Sequence, residues 1–191
     1  MALGEIEVEW DVFSLAIQNF DKDIAEFDPA RGAGVPALRT CVLVRDTDGN
    51  EALGELYAAL AKRHHHRSED IDNGSVIVAA LTDAGLDPSR YDQAVGDPAT
   101  FDTLVADHRA LVDRTRAFGV PAIVLDGGRG PAIFGPVISN PPEDDATALE
   151  LWNHVTWLTR YDNFSELKRD RTVEPDLELY QQRIAAREAA R

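Results

Sequence analysis

The chain has 191 residues, 44% hydrophobic and 28% charged, with a single cysteine. This composition fits one globular domain, or one domain carrying a large insertion, and excludes wholesale disorder, an internal disulfide and a cysteine-clustered zinc site. Thirty-four acidic residues against 19 basic ones leave a net charge of −15, a surface that repels phosphate backbones and anionic lipid. No apolar run reaches the length of a membrane helix, and Met1–Glu7 has neither a basic nor an apolar leader region. The expectation is a reduced, cytoplasmic protein with no nucleic-acid, membrane or metal partner.

In chain order, Ile6, Val8, Trp10 and Val12 alternate with acidic residues, which predicts a half-buried strand running through Phe13. Ser14–Asn19 leaves that strand, and Asp28–Pro36 reads as an irregular loop. Helical signals follow as far as Phe118. Leu38, Cys41, Val42 and Val44 form a short apolar face. Leu53, Leu56, Tyr57 and Leu60 repeat at three and four residues and end in the cationic run Lys62–Arg67. Val76–Leu81 predicts a helix with a stop at Gly85, while Asp87-Pro88 and Asp97-Pro98 open a short and a long helix. The period then returns to two. Val120–Leu125 and Pro131–Phe134 flank the glycine-rich Asp126–Gly130 and predict a β-hairpin. Acidic Glu143–Asp145 opens a helix carrying Leu149, Trp152, Val155 and Leu158. Tyr161–Arg171 is expected to be helical, and Glu174–Arg191 to be a charged, loosely held helix.

The candidate chemical residues have simple readings. Cys41 lies inside an apolar helix with no second cysteine nearby, which marks a buried structural thiol rather than a reactive one. His64, His65 and His66 are adjacent, whereas ligands on one helical face need a spacing of four, so they read as a cationic helix end. Gly127–Gly130 lacks the lysine and following helix of a phosphate loop. Asn163–Ser165 matches a glycosylation acceptor but has no secretory context. Val120-Pro121, straight after a long helix and Gly119, suits a tight turn with a cis peptide; the alternative is a trans proline heading an edge strand.

Three stretches together carry a family likeness. Val12–Asn19 resembles the second strand and exit loop of the DsbA-like thioredoxin-fold proteins of the mycothiol-dependent nitroreductase type. Gly119–Ile123 resembles their cis-proline loop. Phe134–Ser139, Leu151-Trp152 and Phe164–Thr172 resemble their C-terminal signature. The resemblance implies an α/β, thioredoxin-like fold of DsbA type with an inserted helical domain. Residues 1–20 and 119–172 would form the thioredoxin-like part, 21–118 the insertion and 173–191 a charged tail.

It also implies oxidoreductase chemistry: thiol–disulfide exchange or thiol-dependent reduction, started by a Cys-x-x-Cys at the first helix. This sequence begins at what resembles the second strand, so the first βα unit with its dicysteine is missing from it. No catalytic residue is therefore expected. The substrate-binding positions carried over are Val120, Pro121, Asn19 and His65, and a tyrosine that the family places soon after the asparagine has no counterpart in Phe20–Phe27. No covalent cofactor is implied, and mycothiol or a similar small thiol is the expected one. Without the first strand, either Ile6–Phe13 pairs directly with the Pro121–Leu125 strand or a second copy covers the open edge, a homodimer being favoured. The leading expectation is a family member inactive as this chain. The alternative is a non-catalytic protein that binds a small thiol or an extended peptide in the proline groove.

Overall fold

The computed structural model describes residues 6–189, and the chain divides into two compact units. The helical unit comprises Glu9–Asp113 and the chain from Leu177 onward; the hairpin unit comprises Arg114–Asp176 with the N-terminal residues up to Val8.

The helical unit is built around α2 (Val35–Asp48), which starts with proline in its first turn and ends at Gly49. Val35, Ala37, Arg39, Thr40, Cys41, Val42 and Val44 are all buried, so this helix is enclosed on more than one side. Around it pack α3 (Asn50–Ala61), α4 (Gly74–Asp83) and α5 (Arg90–Gly96). Leu56, Ile77, Leu81 and, from α6 (Pro98–Thr115), Leu104 are wholly enclosed at the centre. Fully burying such a side chain contributes roughly 1.5–3 kcal/mol.

The stop predicted at Gly85 is present. Gly85 has φ +71°, and the Leu86 N–H reaches back to the Leu81 carbonyl, closing the end of α4. Asp97-Pro98 opens α6 as expected, with the Asp97 carboxylate accepting from the Ala99 N–H at 3.0 Å. The cationic run does not cap α3. It continues it as a π-helical turn over Lys62–His66.

Ile6–Phe13 is not a strand, which corrects the sequence expectation and removes direct pairing with the Pro121–Leu125 strand. The segment finds its partners among helices. Asn50 takes the place of a neighbouring strand: its Oδ1 accepts from the Trp10 N–H at 2.8 Å and its Nδ2 donates to the Trp10 carbonyl at 2.7 Å. The Trp10 indole lies over Gly54, where a β-carbon would come within 2.7 Å of Nε1, and tilts against Tyr57 at 5.0 Å. Val12 is buried and Phe13 packs on His108. Of the alternating apolar residues Val12 is buried while Val8 and Trp10 stay about 40% exposed, so the alternation marks a segment lying on the helices without a ladder and without a fully buried face. Ser14 then caps the single turn α1 (Leu15–Gln18), and a 3₁₀ turn follows at Ile24–Glu26.

In the hairpin unit, β1 (Ala122–Val124) pairs antiparallel with β2 (Ala132–Phe134), with Ile123 opposite Ile133. The chain reverses through a left-handed turn, α7 (Leu125–Gly128), where Asp126, Gly127 and Gly128 all have positive φ. Two of the three are glycines, for which this conformation carries no steric cost. The Arg160 Nη2 donates to Asp126 Oδ1 at 2.6 Å, tying the turn to α8 (Asp145–Arg160), whose first turn is capped by Asp144.

Tyr161–Arg171 is not helical, a second correction. The stretch offers Phe164 and Leu167 as apolar residues, and Leu167 is 80% exposed, so no apolar stripe exists to hold a helix down. The chain beyond it is pinned instead by Asn140, which donates to the Glu174 carbonyl and accepts from the Asp176 N–H. α9 (Glu178–Ala189) follows, packed on the π-helical turn of its own unit.

Candidate functional site

Cys41 sits in the middle of α2, away from the positive end of its helix and 4% exposed. Burial pushes its thiol up to about 12. A reactive thiol needs the opposite, a site where a helix N-terminus or a cation stabilises thiolate. The side chain thus behaves as a small apolar core group.

Val120 and Pro121 head β1 in the hairpin unit, joined by a cis peptide, and a second cis peptide joins Gly135 to Pro136. The Pro121 carbonyl is occupied by the Gly135 N–H at 2.8 Å. Val120 is about half exposed, and its backbone N–H and carbonyl have no hydrogen-bond partner among the described residues. Beside it, Gly119 leaves room for Phe134, whose ring lies 3.2 Å from where a β-carbon would stand and 4.7 Å from Phe118.

Asn19 and His65 belong to the helical unit. Asn19 is exposed at the end of α1, where its N–H donates to the Leu15 carbonyl. His65 lies in the π-helical turn, edge to face with His64 at 4.8 Å. Asn19 and His65 share no hydrogen bond or ring contact among those of the described residues. The His65 imidazole is held below its ordinary pKa, first by partial desolvation and then by the charges of His64, His66 and Arg183. Among the described residues no group of three or more histidines, cysteines or carboxylates has the geometry to hold a metal ion. No described helix is long and apolar enough to cross a membrane.

Two buried polar groups escaped the sequence reading. Arg39, 7% exposed, donates from Nε to Thr100 Oγ1 at 2.9 Å and from Nη2 to the carbonyls of Ala94, Val95 and Asp97 at 2.9–3.1 Å. His108, 4% exposed, accepts from the Ser14 N–H at Nδ1, which places its proton on Nε2 and keeps the ring neutral. Burial, and secondarily Arg109, lowers its pKa.

Comparison with known proteins gives the relationship. The sequence model described as Rv2466c-like, mycothiol-dependent nitroreductase Rv2466c, matches residues 2–169. The uncharacterized protein Rv2286c of Mycobacterium tuberculosis (strain ATCC 25618 / H37Rv) is 32% identical over 182 residues, which cover 94% of this chain and 75% of the relative. With the match extending from the N-terminal segment through both strands of the hairpin and α8, the chain belongs to the Rv2466c-like family of mycothiol-dependent nitroreductases.

Proposed function

We propose that this chain carries the non-thiol part of a DsbA-like, thioredoxin-type oxidoreductase and does not by itself perform dithiol chemistry. The family is mycothiol-dependent, so the substrate side of the reading is a small thiol together with a nitro or disulfide compound. The carrying observation is Cys41. It is the only cysteine in the sequence, it is buried, and its thiol is raised to about 12. Thiol–disulfide exchange needs an accessible thiolate at working pH, and a single core thiol provides none. In this reading 1–20 and 119–172 are the thioredoxin-like part, with Val120, Pro121, Asn19 and His65 as the substrate-facing positions.

The test is mycothiol-dependent reduction of a nitroaromatic compound by the 191-residue chain. The expected rate is that of mycothiol alone, unchanged by Cys41→Ser. Turnover that Cys41→Ser abolishes would overturn the proposal.

A second reading, a binding protein for a small thiol or an extended peptide, is favoured by the unpaired backbone of Val120 at the head of a two-stranded sheet. An exposed strand edge is a template for adding another strand. The homodimer is a separate proposal for the same edge, favoured by apolar side chains exposed in the same unit: Phe118, Val120, Phe134, Val137 and Ile138 are all more than 40% exposed. Sedimentation equilibrium should then give twice the 21.0 kDa chain mass, and a monomer throughout the micromolar range would argue against the homodimer.

A further inference from the structure

One face of α3 runs on into the π-helical turn: Ala58, Ala61, Lys62 and His65 stand three, four and seven residues along from the first. The wider π turn brings His66 onto the same side. With Leu177, at the head of α9, these residues line an open-mouthed cavity of about 440 Å³, within the range of small-molecule sites.

Its chemistry is divided. Ala58, Ala61 and Leu177 make an apolar floor and wall, while Lys62, His65 and His66 supply every titratable group among the lining residues. The other cations of this turn are already engaged. Arg63 donates to Asp83 and Glu69 at 2.8–2.9 Å, and Arg67 stands within 4.0 Å of both carboxylates. Lys62, His65 and His66 have no ion pair or hydrogen bond among the described residues. The charges that bear on His65 are those of His64, His66 and Arg183, all basic. The acidic residues on either side of Leu177 do not line the cavity: Asp176 donates its N–H to Asn140 Oδ1 at 2.8 Å, and Glu178 accepts from Gln182 Nε2 at 3.0 Å. On a chain of net charge −15, a concave patch whose lining carries positive but no negative groups is an exception with a definite preference. A metal ion is disfavoured there, because Lys62 and Arg183 repel it.

We infer that the cavity between the π-helical turn and the head of α9 binds a small amphipathic anion, a carboxylate on a compact apolar body, with Lys62 and His66 meeting the carboxylate and Ala58, Ala61 and Leu177 the apolar part. This site shares His65 with the substrate-facing positions proposed above, but its apolar wall and Lys62 play no part in that reading. It lies wholly within the helical unit and does not require turnover.

The probe is benzoate, followed through the histidine ring Cε1–H NMR signals, with inorganic phosphate as the purely ionic comparison. Saturable shifts of His65 and His66 at benzoate concentrations up to about 10 mM are expected. Lys62→Glu should weaken binding by about tenfold or more, and Lys22→Glu, the same change of net charge outside the cavity, should not. Lys62→Gln should fall between wild type and Lys62→Glu. Absence of saturable shifts, equal binding by wild type and Lys62→Glu, or phosphate binding as tightly as benzoate would each overturn the proposal.

Discussion

His108 shows how one buried side chain sets a pH dependence. Its Nδ1 serves as acceptor for the Ser14 N–H, which a protonated imidazole cannot do, and its ring lies 4.7 Å from Phe13. Burial disfavours the charged form further, so the folded-state pKa lies below the unfolded one. Between the two values the unfolded chain binds more protons. The stabilising contribution is therefore complete above the ordinary histidine pKa and is lost as pH falls through the folded value. Urea titrations of wild type and His108→Asn, which keeps an acceptor but cannot titrate, should show the wild type losing more stability on going from neutral to mildly acid pH. Parallel losses in the two proteins would remove His108 as the cause. The sequence offered no sign of this role, because a histidine on an apolar helix face looks the same whether it packs, caps or titrates. Cys41 was legible for the opposite reason: its helix is apolar around it, and burial follows from that alone.

Among the elements, α5 depends most visibly on a single long-range contact. It has seven residues, too few to be stable alone, and its last carbonyls are held by the guanidinium of Arg39 from α2. The fixed positive charge also lies at the negative end of that helix. A bidentate pair, Arg90 on Asp48 at 2.8–2.9 Å, fastens the other end of α5 to the end of α2. Arg39→Met retains the aliphatic stem but removes the guanidinium from three carbonyls, of which those of Ala94 and Asp97 keep Thr100 as a donor and that of Val95 does not, and should destabilise the fold by roughly 1–3 kcal/mol. A loss below about 0.5 kcal/mol, the scale of an ordinary surface substitution, would show that water replaces the guanidinium without penalty.

Helices with local punctuation were readable from the sequence: Asp97-Pro98 opening α6, Gly85 closing α4, the glycines of the hairpin turn. Ile6–Phe13 was not, since alternation cannot tell a strand partner from the side chain of Asn50, and here it leaves Val8 and Trp10 exposed. Tyr161–Arg171 was misread because its charges resemble a solvated helix, while the apolar stripe that would anchor one is absent.

Across the whole molecule the two units differ in how they are held together. The central cluster of buried apolar side chains, from Val12 to Val105, belongs to the helical unit. In the hairpin unit the buried apolar side chains among the described residues are those of Ala117, Leu125 and Pro175, while Trp157, Tyr161, Leu167 and Val173 join Phe118, Val120, Phe134, Val137 and Ile138 in being exposed. A monomeric protein seldom leaves so much apolar surface in one region, and a partner surface is the usual reason. The sole sulfhydryl of the sequence, that of Cys41, lies in the core of the helical unit.

The claim that this thiol is structural can be tested by iodoacetamide treatment of the native and the urea-unfolded chain at mildly alkaline pH, read by intact mass. Native protein should remain unmodified over a period in which the unfolded chain is fully alkylated at Cys41. Native alkylation at the rate of a free thiol would contradict the account, for it would mean that Cys41 reaches solvent as thiolate and could take part in exchange with mycothiol.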